Sequence, residues 1–248
     1  MTINVLKIGG NELDDPGFVT RLAAAVAALP TPPILVHGGG KEIGALQTAL
    51  GGEPRFVAGM RVTDAVALTA AQMVLCGSVS TRLVAALLAA GCDALGMSGV
   101  DRGLIRVTRQ THPDGDLGFV GTVVAVRAEL LHELLAAGVV PVIAPVSIGP
   151  EGPYNVNADE VAGAIAAALG DADVVFITNV PGVLAGGALQ PQLSGAQIAA
   201  LVADGTIAGG MLPKVRAAQA ALAAGVRRAR ITDLDGLGTG AGTAVVRQ

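Results

Sequence analysis

The sequence predicts an α/β protein with a mainly parallel sheet and helices on both faces. Three observations carry this. Short apolar runs alternate with alanine-rich helical stretches, the pattern of repeated strand–crossover–strand units. Glycine clusters mark several joints between them. The 248 residues are 52% hydrophobic but only 2% aromatic, with no Trp, so a sizeable core of Ala, Val, Leu and Ile can form. The length suits one large domain or two lobes sharing one sheet.

Each element has its own warrant. Ile3–Ile8 reads as a strand, and Pro16–Leu29 as a helix that Asp14 or Asp15 can cap, with Pro16 in its first turn. Ile34–Val36 is a strand that runs through three glycines into a helix, Lys41–Leu50. Thr63 and Asp64 can cap an unusually long helix running toward Ala90, ended by Gly91 and interrupted at Gly77. Ala94–Met97, Leu104–Thr108 and Gly118–Val126 read as strands, the last two as an antiparallel hairpin. Arg127–Ala137 is helical and Val139–Ala144 extended; Asn157 or Asp159 starts a helix to Leu169, and Val174–Ile177 is a strand. Helices at Ser194–Ala203 and Met211–Ala224 and strands at Ala229–Ile231 and Ala244–Val246 complete the chain.

Composition excludes several function classes. Net charge is −4 and the pI about 5.3, so there is no basic face for a nucleic-acid backbone, and no aromatic stacking platform. Mean hydropathy is +0.61, yet Val174–Ala203, Leu134–Pro150 and Ala65–Thr81 are broken by Pro, Gly or polar residues, and none reads as a membrane span. The N-terminus lacks a signal-peptide core, which predicts a cytoplasmic protein. Cys76 and Cys92 cannot build a disulfide framework or a four-ligand zinc site and read as buried reduced thiols. The three histidines are dispersed.

Charged residues are only 15% of the chain, so two lysines beside glycine-rich backbone stand out: Lys7 before Gly9-Gly10, and Lys214 after Gly209-Gly210. Glycine lets N–H groups approach anions and lysine adds a compact positive charge, which together suit phosphoryl transfer between two anions. A lysine near the C-terminal end of a buried parallel strand is costly unless it meets an anion, and open α/β sheets bind ligands at those ends. The turn Gly38–Gly40 is neither G-x-G-x-x-G nor a Walker A loop; it fits an N–H nest at a helix start or, equally, a tight packing turn. Asn155, Asn157 and Asp159 alternate with Val156 and Ala158, which in extended backbone puts three polar groups on one side; a helix cap would use only one of them. Arg61, just ahead of the Thr63-Asp64 cap, fits either a surface salt bridge or a fork for a substrate carboxylate. Gly96-Met97-Ser98-Gly99 is followed by Val100, so no nucleophile elbow is present.

In this order Lys7-Ile8-Gly9-Gly10, His37-Gly38-Gly39-Gly40, Gly59-Met60-Arg61-Val62-Thr63, Asn155-Val156-Asn157-Ala158-Asp159-Glu160 and Gly209-Gly210-Met211-Leu212-Pro213-Lys214 resemble the amino-acid kinase family, most of all its branch acting on N-acetylglutamate. Gly118–Gly121 and Thr178–Val183 strengthen the likeness, which spans nearly the whole chain. The resemblance implies a three-layer αβα sandwich on an open sheet of about eight strands. It divides the chain into an N-terminal lobe, 1–170, for the acyl amino acid and dimer contacts, and a C-terminal lobe, 171–248, for ATP. It implies Lys7 and Lys214 as catalytic cations held by Asp159, and Gly39, Gly40, Arg61, Asn155 and Asn157 around the substrate. Gly9 and Gly10 would meet nucleotide phosphates; Thr178, Asn179, Gly182, Leu184, Thr206 and Ala208 would line the rest of the ATP site. Mg²⁺ is expected on the ATP phosphates with no metal site of the protein's own. The expected reaction phosphorylates the side-chain carboxylate of N-acetylglutamate; the alternatives are a carrier-linked aminoadipate or glutamate substrate, and a non-catalytic regulatory module. The first strand starts almost at once, without the N-terminal helix of arginine-inhibited hexameric relatives, which predicts a homodimer with weak or absent arginine inhibition.

Overall fold

In the computed structural model, which describes residues 2–247, the chain opens with β1 (Ile3–Ile8). A short helical turn, α1 (Gly10–Leu13), precedes α2 (Pro16–Ala27), capped by Asp15, whose carboxylate accepts the Gly17 N–H at 2.8 Å. β2 (Ile34–His37) runs into α3 (Gly40–Ala49). A small hairpin, β3 (Phe56–Val57) and β4 (Met60–Arg61), turns at Ala58 and Gly59, with φ of 49° and 81° as a type I′ turn requires. Asp64 then caps α4 (Ala65–Gln72), which continues through π-helical turns at Met73–Val79 into α5 (Ser80–Ala89). Gly77 therefore loosens the rod without interrupting it. The resulting 25-residue helix is long and apolar enough to cross a bilayer by length and composition, contrary to the sequence reading. One face of it, including Ala70, Val74, Leu75, Val79, Leu83 and Leu87, is packed into the protein core.

β5 (Ala94–Gly99) is followed by the antiparallel pair β6 (Ile105–Arg109) and β7 (Gly121–Val126), then α6 (Ala128–Ala136). β8 (Val140–Gly149) folds back into β9 (Gly152–Asn155), and α7 (Ala158–Leu169) leads to β10 (Ala172–Ile177). A two-residue-stranded hairpin, β11 (Leu184–Ala185) and β12 (Ala188–Leu189), precedes β13 (Gln192–Ser194). The chain ends with α8 (Gly195–Ala203), α9 (Met211–Ala223), β14 (Arg228–Thr232), α10 (Leu234–Thr239) and β15 (Thr243–Val246).

The main sheet runs β13-β15-β14-β10-β1-β2-β8-β6-β7, with β5 and β9 also on β8. It holds eleven strands, against about eight expected. β9 and β13 are too short for a period to reveal and are defined by their pairing. Pairing is parallel except at β14–β15, β6–β7 and β8–β9. Alternation divides each central strand between two cores. Val5, Val36, Val174 and Phe176 face α6, α7, α8 and α9; Leu6, Ile8, Leu35, Val175 and Ile177 face α2, the long rod and α10. That is the predicted three-layer sandwich on one continuous sheet.

The site's position follows from topology. β1 lies between β2, which follows it, and β10, which arrives more than a hundred residues later from the other side. The strand order reverses there, and such a switch point opens a crevice at the strands' C-terminal ends. α7 and α9 each lead into a parallel strand, β10 and β14, so both run against the strands and start at that rim. Gly163 lets them approach closely; a Cβ there would lie 3.3 Å from the Ala221 Cβ.

Candidate active site

Lys7 is the penultimate residue of β1, opposite Phe176 on β10 and Val36 on β2. It shares a face with Val5, so it points toward α7. Asn157 caps α7 by accepting the Asp159 N–H at 2.8 Å, and Asp159 occupies the first turn, where the helix dipole favours an anion. Lys7 Nζ meets Asp159 Oδ1 at 2.8 Å, with side chains 13% and 19% exposed. The approach is too bent for a hydrogen bond, so charge holds the pair. Of the two readings open for Asn155–Asp159 the structure takes the cap: Asn155 ends a strand, Asn157 caps and Asp159 is helical.

The two glycine turns beside Lys7 touch. A Cβ on Gly10 would collide with the Gly40 nitrogen and sit 3.0 Å from that of Gly39, and the Gly38 N–H donates to the Ile8 carbonyl at 3.0 Å. The turn at Gly38–Gly40 is therefore a packing turn, and it also opens α3. His37, fully buried, anchors it. Its Nδ1 lies 3.2 Å from the Gly38 carbonyl, which assigns the proton to Nδ1, and Nε2 has no partner. Burial pushes this imidazole down to about 4, aided by the Arg82 charge and opposed by the Gly38 bond, so it is neutral at pH 7. Arg82 pairs with Glu42 at 2.6 Å and donates to the Leu13 carbonyl at 3.2 Å, tying α5, α3 and α1 together behind the turns.

Among the residues expected around the substrate, the Arg61–Thr63 segment meets Asn155. Asn155 Nδ2 donates to Thr63 Oγ1 at 3.2 Å, and Thr63 exchanges backbone hydrogen bonds with Leu117 and Phe119. Gly118 is required in this crossing: its φ is +69°, and a Cβ would collide with the Thr63 carbonyl. Among the described residues Arg61 makes no surface salt bridge; Arg55 reaches Asp64 instead, at 3.8 Å. Arg61 Nη1 donates to Gln47 Oε1 at 3.0 Å.

The residues expected around the nucleotide sit at the ends of β10 and β14 and on the loops after them. The Thr178 N–H donates to the Thr232 carbonyl at 2.8 Å, and the Thr178 hydroxyl reaches Asn179 at 3.3 Å. Gly182, at φ +148°, passes so close to Thr243 that a Cβ would clash, while Val183 donates to Thr243 Oγ1 at 2.8 Å. Leu184 stands exposed on β11. Thr206 and Ala208 lie on the α8–α9 connection, where Thr206 donates to Asp204 at 2.9 Å. Lys214, in the first turns of α9, reaches its own Gly210 carbonyl at 3.4 Å. Asp159 thus pairs with Lys7 and not with both lysines, as the resemblance implied.

Three contributors escaped the sequence reading. Thr63, taken there as a cap, is wholly buried and holds Asn155. Glu160 accepts the Val123 N–H at 2.7 Å and pins β7 to α7, its pKa raised by burial. Gln47, a buried amide in the middle of α3, contacts Arg61. A glutamine inside an amphipathic helix carries no signal of its own. The reduced thiols also differ from expectation, since Cys76 is exposed and Cys92 only half-buried.

Comparison with known proteins gives the family. The profile of the amino acid kinase family matches residues 2–233. An acetylglutamate kinase from Roseiflexus castenholzii is 69% identical over 233 residues, covering 94% of this chain and 90% of that one. One from Methanopyrus kandleri is 46% identical over 252 residues, covering 98% and 100%. Among solved structures, an N-acetylglutamate synthase from Neisseria gonorrhoeae, complexed with coenzyme A and N-acetyl-glutamate, superposes with a TM-score of 0.83 at 26% identity; all of this chain aligns with 60% of that one. A Giardia lamblia carbamate kinase shares the fold, with a TM-score of 0.69 at 16% identity over 100% and 99% of the two chains.

Proposed function

The chain belongs to the amino acid kinase family, and on that premise we propose that it is an acetylglutamate kinase of arginine biosynthesis, acting in the cytoplasm. It transfers the γ-phosphoryl group of ATP to the side-chain carboxylate of N-acetyl-L-glutamate, forming an acyl phosphate and ADP. The carrier-linked and regulatory alternatives are not favoured, because the relatives at 67–69% identity over 94% of the chain are acetylglutamate kinases.

The carrying observation is Lys7, ion-paired at 2.8 Å with Asp159 at the strand-order reversal, beside two glycine turns in backbone contact. The chemistry needs no protein nucleophile and no general base, since the attacking carboxylate is ionised at pH 7. The barrier is the approach of two anions in line, and positioning with fixed positive charge lowers it. In this reading Lys7 stands between the Gly9-Gly10 and Gly39-Gly40 turns, whose N–H groups take nucleotide phosphate and substrate carboxylate. Asp159 aims Lys7. Lys214 starts at the same rim and swings from its weak hold on Gly210 onto the phosphoryl group. Arg61, Asn155 and Asn157 take the α-carboxylate and acylated amine, and the Thr178–Leu184 and Thr206–Ala208 loops border the nucleoside. Mg²⁺ entering with ATP would supply positive charge against the phosphates.

A homodimer is part of the reading. The long rod and β5 leave large apolar side chains uncovered, with Met73 and Leu88 each 54% exposed and Leu95 44% exposed. A monomer by sedimentation equilibrium at micromolar concentration overturns that part. The activity is tested by coupled ADP release with N-acetylglutamate, glutamate and aminoadipate offered separately. Turnover with N-acetylglutamate alone is expected; preference for either other acid, or no turnover, overturns the assignment.

A further inference from the structure

The β3–β4 hairpin and α3 build a socket around a cation that has no counter-ion. Arg61 is half-buried and forms no ion pair among the described residues. Its guanidinium carbon lies 5.0 Å from the centre of the Phe56 ring, the residue directly opposite it in the hairpin. Its Nη1 donates to Gln47 Oε1 at 3.0 Å, and Nη2 lies over Gly44, one turn earlier on α3, where a Cβ would be 3.6 Å away. Every neighbour that holds the guanidinium is neutral.

Gln47 is the unusual member. It is 1% exposed, and both ends of its amide are used: Oε1 accepts from Arg61 and Nε2 donates to the Glu53 carbonyl at 3.1 Å. Arginine only donates and a carbonyl only accepts, so the amide can lie only one way round. A glutamate would hold Arg61 as firmly but would neutralise it in place. A neutral acceptor fixes the fork while leaving its charge to an incoming anion. Burial without an anionic partner already lowers the Arg61 pKa, the cost of keeping that charge uncompensated. Gln47 is on the helix whose N-terminus is the Gly39-Gly40 turn, so one rigid element sets the spacing between the two carboxylate sites of a dicarboxylic substrate.

We infer that Gln47 is a positioning and specificity residue: with Phe56 it holds Arg61 rigid but un-neutralised, so that the guanidinium grips the substrate carboxylate farther from the reacting one. The inference rests on the acetylglutamate reading. Its test is steady-state kinetics of Gln47→Glu, Gln47→Met and Phe56→Leu, with melting temperatures recorded alongside. Gln47→Glu is expected to raise KM for N-acetylglutamate more than about tenfold, and Gln47→Met by less, on the scale of a charge-assisted hydrogen bond. KM for ATP stays within about twofold in each, because the nucleotide lies on the other side of the crevice. Phe56 is 58% exposed, so Phe56→Leu folds whatever happens at Gln47, and it is expected to raise the same KM about twofold to threefold. An unchanged acetylglutamate KM in the folded variants overturns the inference. So does a fall in kcat with both KM values moving together, which marks a merely structural role. If the parent enzyme releases no ADP with N-acetylglutamate, the functional reading fails and this inference falls with it.

Discussion

The two sides of the crevice are built differently. Around Lys7 and the residues proposed for the substrate, the decisive contacts join separate segments of the chain: Lys7 with Asp159, Asn155 with Thr63, and Arg61 with Gln47. On the nucleotide side several groups are held only by near neighbours: Lys214 by Gly210, Thr206 by Asp204, Thr178 by Asn179. Long-range contacts there, such as Val183 to Thr243, fix the backbone rather than the reactive side chains. Under the proposed function, the difference means that the substrate half is pre-organised by the fold, while the nucleotide half is completed by its ligand. Pre-organised groups couple function to stability; waiting groups do not.

The sharpest way to break this contrast is to remove each lysine. Lys7→Ala and Lys214→Ala should each lower kcat by about two to three orders of magnitude, the scale of losing one donor to a developing charge. Only Lys7→Ala should also lower the urea midpoint, because it leaves the mostly buried Asp159 carboxylate without its cation. Equal stability loss in both variants would erase the distinction.

The acid limb of stability tests the buried anchor behind the glycine turns. His37 titrates near 4 when folded and near 6.5 when unfolded, so the unfolded chain binds the extra proton between those values. Stability is therefore undiminished above pH 6.5, falls as pH drops through the window, and has lost about 3 kcal/mol near pH 4 from this group. Urea unfolding of the parent and of His37→Gln at pH 7 and pH 5 measures it, and the variant should show a shallower loss. An identical slope means that the ring is not neutral in the folded state.

A smaller effect probes the turn contact itself. Gly10→Ala should cost about 1–3 kcal/mol by overpacking against Gly40, with a fall in kcat/KM. Gly238→Ala, on exposed α10 with open space around it, serves as the control and should be neutral or slightly stabilising. The smallest effect belongs to the cap that seats Asp159. Asn157→Ala should lower stability by about 1 kcal/mol, read from the thermal midpoint, with kcat falling less than in either lysine variant.

Much of this was legible in the chain. Alternation of apolar strands with alanine-rich helices marked the layered α/β architecture, because periodicity is a local property; which of the paired cap candidates acts, Asp15, Asp64 and Asn157, came from the structure. Lys7 and its glycine turns were visible as well, since an isolated charge in a buried strand has few innocent explanations. The polar group Asn155–Asp159 was visible but its shape stayed open, because an extended run and a strand-end followed by a cap share the same residues. Cys76 looked buried because its neighbours are apolar, yet it lies on the face of the long helix that this chain leaves uncovered.

What the sequence determined by itself was the set of elements and the chemistry at their ends, which depend on neighbours within a few positions. Tertiary structure alone decided which ends meet. Lys7 reaches Asp159 because strand pairing puts β1 beside β10 and side-chain alternation turns it toward α7. Gln47 gained its task only when a hairpin fourteen residues away set Arg61 against its amide. Such pairings depend on sheet order and helix packing across the whole chain, and no local pattern records them.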